Sequence, residues 1–239
     1  MNNFFITGDK AVGKTTILKN ILMELDRKVS AKLNMRIAGF VTARISDSKS
    51  GRPLLFALRP AEELRNNIEK DNIDIDFNPI KNIEPRNSSK ENPDDNAGEL
   101  INYLSKNIKE SSELEDYFDK AYFDKERVFA FRKDPYQKFT VREEVFNNYG
   151  VSLLEKEADL IIMDELGRFE LNAEQFQKKV FNLLDSEQTI FGIIKAESNS
   201  FLDKIRERND IKIFWVTEEN RDKVYQKVYK LVKEAVQKI

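Results

Sequence analysis

An α/β fold with a mainly parallel sheet is predicted by two observations. Short runs of consecutive apolar residues read as strands buried on both faces, and between them lie segments whose apolar residues recur at helical spacing. Residues 4–6 form the first such run. From Lys14 to about Asp26, Ile17, Leu18, Ile21, Leu22 and Leu25 mark one face of a helix. "MRIAGFVTARI" (35–45) reads as a strand, Ser46–Gly51 as a polar turn, and "PLLFAL" (53–58) as a strand that pairs back as a hairpin. "LIIMDE" (160–165) is a further buried strand, and "AEQFQKKVFNLL" (173–184) a helix with Phe176, Val180, Leu183 and Leu184 on one face. "TIFGII" (189–194) and "IKIFWV" (211–216) read as two more buried strands, with Phe201, Leu202 and Ile205 on a short helix between them. Residues 220–238 are predicted as a last helix with Val224, Val228, Leu231 and Ala235 facing inward.

The middle of the chain breaks this pattern. Residues 65–125, approximately, are rich in Asn, Asp, Glu and Lys, and "PRNSSKENPDDNAG" (85–98) reads as a mobile polar loop. A charged amphipathic helix with Leu100, Ile101, Leu104 and Ile108 on one face is expected after it. The expected organisation is a single domain over residues 1–239 with a polar, partly helical surface insertion at about 65–125. No partner of that insertion can be named from its residues.

Composition narrows the chemistry. With 239 residues, 40% hydrophobic and 34% charged, the chain is long enough for a substantial core. The net charge of −2 gives no overall basic field for nucleic acid. With no cysteine there is no disulfide framework or thiol nucleophile, and with no histidine there is no imidazole base or common zinc site. Acid–base work falls to Asp, Glu, Lys, Tyr or water. No apolar stretch reaches membrane-spanning length, and a cytoplasmic protein without membrane contact is expected.

The first run leads into "GDKAVGKTT". Gly8, Asp9, Lys10, Ala11, Val12, Gly13, Lys14 and Thr15 follow the order G-x-x-x-x-G-K-[ST] between a strand and a helix, a context that a chance glycine turn does not require. Glycines let the backbone curl so that its N–H groups point at phosphate oxygens, and the helix N-terminus adds its dipole. Lys14 is expected at the β- and γ-phosphates, the Thr15 hydroxyl on Mg²⁺, and Thr16 at the α-phosphate. A second element is "ADLIIMDELG" (158–167). An acid at the C-terminal end of a buried parallel strand lies at the ligand crevice. Asp164 is therefore placed to hold Mg²⁺ through its water shell, and Glu165 to orient or deprotonate an attacking water. A strand that merely ends in solvated acids is the plain alternative.

The chain resembles the small P-loop nucleoside-triphosphatases first characterised from a thermophile, a family that includes the human cancer-related nucleoside-triphosphatase. The resembling stretches are "GDKAVGKTT", "GFVTARI" (39–45), "DLIIMDELGRFEL" (159–171) with the helix after it, and "VTEENRD" (216–222). They occur in the family's order and cover most of residues 1–60 and 126–239. The resemblance implies a RecA-like P-loop fold and Mg²⁺-dependent hydrolysis of ATP, GTP, CTP or UTP to the diphosphate. Glu165 would activate water, and Lys14 and Arg168 would supply catalytic cations. The chain departs from the family in having Ala11 where Gly is frequent, Arg168 where Lys is frequent, and the insertion. Ala11 suits the loop if that position does not need a positive φ.

Other residues carry weaker signals. Arg206, Arg208 and Arg221 follow late strands or helices, where one of them could neutralise transition-state charge, a solvated surface role being the alternative. Trp215 lies within a strand pattern and is expected in the core rather than against a base. "FRKDPYQKF" (131–139) mixes cations and aromatics as a nucleic-acid surface does, but balanced charge makes nucleic acid an unexpected partner. The reading is a hydrolase acting on a nucleoside triphosphate. A small-molecule kinase and a slowly hydrolysing nucleotide switch are the alternatives, and the lack of N-K-x-D argues against a Ras-like GTPase.

Overall fold

The computed structural model describes residues 2–27, 35–65, 72–75, 97–102 and 125–237. In chain order its regular elements are β1 (Asn3–Gly8), α1 (Lys14–Leu25), β2 (Ile37–Asp47), β3 (Pro53–Pro60), β4 (Asn72–Ile75), β5 (Val128–Phe131), β6 (Thr140–Val141), α2 (Val151–Leu154), β7 (Leu160–Leu166), α3 (Glu174–Leu184), β8 (Thr189–Ile194), α4 (Ser200–Arg206), β9 (Ile211–Val216) and α5 (Arg221–Val236). The chain divides into two compact units: Met1–Val41, Pro60–Ile68 and Phe146–Ile239 form the first, Thr42–Arg59 and Glu69–Val145 the second.

The first unit is a parallel sheet. The strands run in the order β2, β7, β8, β1, β9, with β2 contributing its first half. β1, β7 and β8 have neighbours on both sides, so their unbroken apolar runs bury both faces. Ile17, Leu18, Ile21, Leu22 and Leu25 of α1 are all buried against Phe4, Ile6, Phe191 and Ile193. Each such side chain contributes roughly 1.5–3 kcal/mol on burial. Phe40 and Phe146 tilt onto Phe176 of α3 at 5.6 and 5.3 Å between ring centres.

Two expectations for this unit are corrected. The face of α5 turned inward carries Val228, Val232, Ala235 and Val236, whereas Val224 and Leu231 are only half-buried at its margin. The stripe at i, i+4, i+7 and i+8 from Val228 lies beside the expected one, and both are apolar enough to serve. Second, β9 is not a buried strand like its neighbours, and Trp215 is 53% exposed. Among the described residues β9 ends the strand path and pairs with β1 alone, which leaves part of its surface uncovered.

The second unit holds the latter half of β2 with β3 to β6. β2 and β3 are neighbours, as the expected hairpin requires, but β2 runs on to Asp47 and shortens the turn. Asp47 closes that turn: its carbonyl accepts from Gly51 N–H at 2.7 Å and its carboxylate from Ser50 N–H at 2.9 Å. β5 pairs antiparallel with β3 and β6, and β4 pairs parallel with β2. Residues 97–102 are helical, with Ala97 and Leu100 in a cluster with Ile45, Leu54 and Phe131. Ala97 and Gly98 thus lie in a helix instead of ending a polar loop. The rest of that loop, Leu104, Ile108 and most of the expected insertion lie outside the described residues. The cations and rings of 131–139 pair with their own unit: Arg132 lies 4.4 Å over the Phe139 ring and Arg52 4.6 Å over that of Tyr136. No helix among the described residues is long and apolar enough to cross a membrane.

Candidate active site

The site gathers at the C-terminal ends of β1, β7 and β8 in the first unit. β1 turns into its loop at Gly8, whose φ is +144°, and a Cβ there would fall 2.3 Å from the Val216 carbonyl oxygen of β9. Only glycine passes at that distance. The loop ends at Gly13, φ +91°, which precedes α1 and accepts from Ile17 N–H at 2.9 Å. Asp9, Lys10 and Ala11 are exposed along it, and Val12 packs toward the core. Ala11 takes φ +68°, so the position does need the left-handed region. A side chain there costs about 1–2 kcal/mol relative to glycine.

Lys14 folds back across the loop and donates to the carbonyls of Gly8 at 2.9 Å and Asp9 at 2.6 Å. Burial lowers its pKa and Lys195 adds to that, while Glu165, Asp164 and Asp9 act in the opposite sense. Thr15 is half-buried and Thr16 exposed on the first turn of α1. The loop therefore presents a cation, two hydroxyls and a helix N-terminus together.

The second wall comes from β7. Its pairing with β8 shifts register between Met163 and Leu166, and the shift spans Asp164 and Glu165. Such an irregularity re-aims side chains that a regular strand would send to opposite faces. Asp164 is buried, and Glu165 is 31% exposed and ion-paired with Lys195 at 3.0 Å. Lys195 follows β8 directly, and its N–H donates to the Leu166 carbonyl at 2.9 Å. A Cβ at position 167 would come 2.9 Å from the Lys195 Cδ, so Gly167 makes room for this lysine. Because β8 lies between β1 and β7, Lys195 emerges between the two motif strands.

Glu170 closes the turn after β7. It is buried, and its carboxylate accepts from Gly167 N–H at 2.9 Å. Burial pushes its pKa up to about 7, against the backbone N–H groups and Lys195, with Glu165 adding to the rise. Arg168 stands exposed on that turn with its guanidinium 5.2 Å over the Phe169 ring, and Lys195 lies 5.6 Å over the same ring. The cation that meets Glu165 is thus Lys195.

The three arginines separate. Arg221 lies over the phosphate loop, its Cδ 2.9 Å from where a Gly13 Cβ would stand. Arg206 is a brace: it donates to the carbonyls of Lys195 and Glu197 and pairs with Asp203 at 2.7 Å. Arg208 pairs with Asp185 and Asp210, which precede β8 and β9, and so sits at the opposite end of the sheet. Sequence reading missed Lys195 and Glu170. The signal for Lys195 was present, since a cation directly after a buried parallel strand falls at the ligand crevice. Glu170 carried none, because its burial depends on how the turn folds.

Comparison with known proteins bears on this arrangement. Nucleoside-triphosphatase THEP1 of Thermotoga maritima is 36% identical over 104 residues, 41% of this chain and 60% of that protein. The protein of the same name from Methanothermobacter thermautotrophicus is 34% identical over 76 residues, 32% of this chain and 42% of that protein. The chain thus spans about 60% or less of these curated relatives' length. The crystal structure of THEP1 from the hyperthermophile Aquifex aeolicus superposes with a TM-score of 0.55 at 19% identity, covering 97% of this chain and 99% of that one, and so shares the fold. The family model described as NTPase matches residues 3–80 and 118–229, most of the chain including both motif strands, and the chain belongs to that family.

Proposed function

We propose that this protein is a cytoplasmic, Mg²⁺-dependent nucleoside-triphosphatase that releases phosphate from ATP and other nucleoside triphosphates. The observation that carries the reading is the convergence of Lys14, Asp164 and Glu165 at one end of a parallel sheet, with Lys195 paired to Glu165. The Lys14 ammonium, now on the Gly8 and Asp9 carbonyls, exchanges those for the β- and γ-phosphate oxygens. Loop N–H groups from Asp9 to Thr16 hold the remaining oxygens. Thr15 and Asp164 offer a hydroxyl and a carboxylate, hard oxygen donors of the kind hydrated Mg²⁺ takes. Bound there, the ion would neutralise charge on the β- and γ-phosphates.

Glu165 accepts a proton from water as the water oxygen bonds to the γ-phosphorus. The bond from that phosphorus to the β–γ bridging oxygen breaks, leaving a diphosphate and inorganic phosphate. Lys195 keeps the Glu165 carboxylate aimed, and Arg168 supplies charge at the rim of the site. The test is phosphate release from ATP, GTP, CTP and UTP, with and without Mg²⁺ and with no acceptor present. Release that depends on Mg²⁺ and Lys14 is expected. Phosphate transfer that proceeds only on addition of an acceptor would overturn hydrolysis in favour of a kinase.

A further inference from the structure

The turn that follows β7 carries a buried carboxyl group, Glu170, for which the reaction has no direct use. We propose that Glu170 is a positioning residue for hydrolysis, whose carboxyl clasps this turn in the shape that lets Lys195 reach Glu165. The inference rests on the hydrolase reading above and adds to it a buried residue that acts on the reaction through another.

A continuous path of contacts joins Glu170 to Glu165. The Glu170 carboxylate accepts from the Gly167 N–H at 2.9 Å. The stem of Lys195 passes over Gly167: a Cβ on that glycine would stand 2.9 Å from the lysine Cδ and 3.5 Å from its Cε. The Lys195 ammonium then meets the Glu165 carboxylate at 3.0 Å. A turn that shifted at Gly167 would press its backbone into the lysine stem or withdraw from it, and the ammonium would leave Glu165. Phe169 is a second guide. It is buried, and its ring centre lies 5.6 Å from the Lys195 ammonium. Both surfaces that direct the lysine belong to the turn that Glu170 closes.

The backbones on either side are braced separately, which gives this one contact its leverage. The main chain of Glu170 is anchored toward α3: its carbonyl accepts from Ala173 N–H at 3.0 Å and from the Gln177 side chain at 2.8 Å. The main chain of Lys195 is anchored at both its groups. Its N–H donates to the Leu166 carbonyl at 2.9 Å, and its carbonyl accepts from Arg206. With these anchors set, the course of the chain from Leu166 to Glu170 decides where the lysine stem can lie. The Glu170 carboxylate ties the start of that course to its end. A buried N–H deprived of its acceptor drives the chain to find another, so loss of the carboxyl moves Gly167. Small displacements of a group in a reacting array lower the rate steeply.

The experiment measures steady-state phosphate release from ATP and Mg²⁺ by the full chain, together with its thermal melting. Glu170→Ala should lower kcat about fivefold and change KM less than about twofold, because the clasp acts on the proton acceptor and not on phosphate binding. Glu170→Gln, which keeps an acceptor for the Gly167 N–H, should restore kcat to within about twofold of wild type. In a Lys195→Ala background, Glu170→Ala should cost less than about twofold more. Gly167→Ala sets a Cβ against the lysine stem and leaves Glu170 in place. It should repeat the loss in kcat, and it guards against a folding defect in Glu170→Ala. Wild-type kcat in Glu170→Ala or in Gly167→Ala would overturn the positioning role while the hydrolase reading stands, and a lowered melting temperature with that kcat would mark Glu170 as purely structural. The same holds if Glu170→Ala costs its full amount when Lys195 is already alanine, or if Glu170→Gln loses as much as Glu170→Ala. A wild-type chain that releases no phosphate would overturn both.

Discussion

The two ends of the parallel sheet both carry charge and differ in how they hold it. At the end where the strands begin, the cations are closed into multiple ion pairs. Arg36 meets Glu157 at 3.1 Å and Asp159 at 3.3 Å, and Arg208 meets Asp185 at 2.7 Å and Asp210 at 2.5 Å. The partner carboxylates of Arg208 hold its pKa above the usual guanidinium value and it holds Asp210 below the usual carboxylate range. At the end where the strands finish, Lys14 rests on neutral carbonyls of its own loop, and Glu165 meets a single lysine while 31% exposed. Asp164 and Glu170 are buried there. Charge that serves the fold is matched locally. Charge at the strand ends is held on neutral carbonyls or in a single pair, the arrangement that the proposed triphosphate site requires if its cations are to exchange those contacts for phosphate oxygens.

The largest effect expected from this contrast is at Lys14. Lys14→Ala should abolish turnover and weaken triphosphate binding, measured by phosphate release and by direct titration with ATP. Near-normal release would remove the loop from the reaction. Next is Glu165→Gln, which keeps shape and removes the proton acceptor. Single-turnover hydrolysis should fall by on the order of 10²–10⁴ while ATP affinity stays close to wild type.

Lys195 sharpens that result, because a positioning residue acts only through its partner. Lys195→Ala should lower kcat about tenfold with less change in KM, Lys195→Arg should restore part of the loss, and Lys195→Ala should cost less than about twofold more in a Glu165→Gln background. Additive losses would show that Lys195 works independently of Glu165.

Glu170 gives a pH test. Its folded-state pKa, about 7, lies above the ordinary carboxyl value of 4.5. The neutral form is therefore favoured by folding. Its contribution is fully present below pH 4.5 and is lost as pH rises through 7, up to about 3 kcal/mol. Glu170→Gln keeps an acceptor for the Gly167 N–H and should flatten the fall in thermal stability between pH 4.5 and 7.

The smallest effect belongs to the other end of the sheet. Arg208→Ala leaves Asp185 and Asp210 half-exposed, so water resolvates them, and unfolding free energy should fall by about 1 kcal/mol. Phosphate release should stay within about twofold of wild type. A larger loss of activity would break the division between the two ends.

Much of this protein was legible in its residues, and the reason is local. A parallel strand buried on both faces must be apolar throughout, so β1, β7 and β8 announced themselves, as did the one-faced helices α1 and α3. The loop between β1 and α1 was equally plain, because its glycines at Gly8 and Gly13 answer to backbone geometry within one turn of chain. What the residues alone did not decide were matters of which neighbour lies beyond a side chain. Trp215 has the same strand pattern whether β9 is covered or lies at the edge of the sheet. Arg206, Arg208 and Arg221 follow similar elements, yet one braces a loop, one stitches the far end and one covers Gly13. The meeting of Glu165 with Lys195 joins residues 30 positions apart in sequence. It exists because β8 is laid between β1 and β7, a choice made by the packing of the whole sheet.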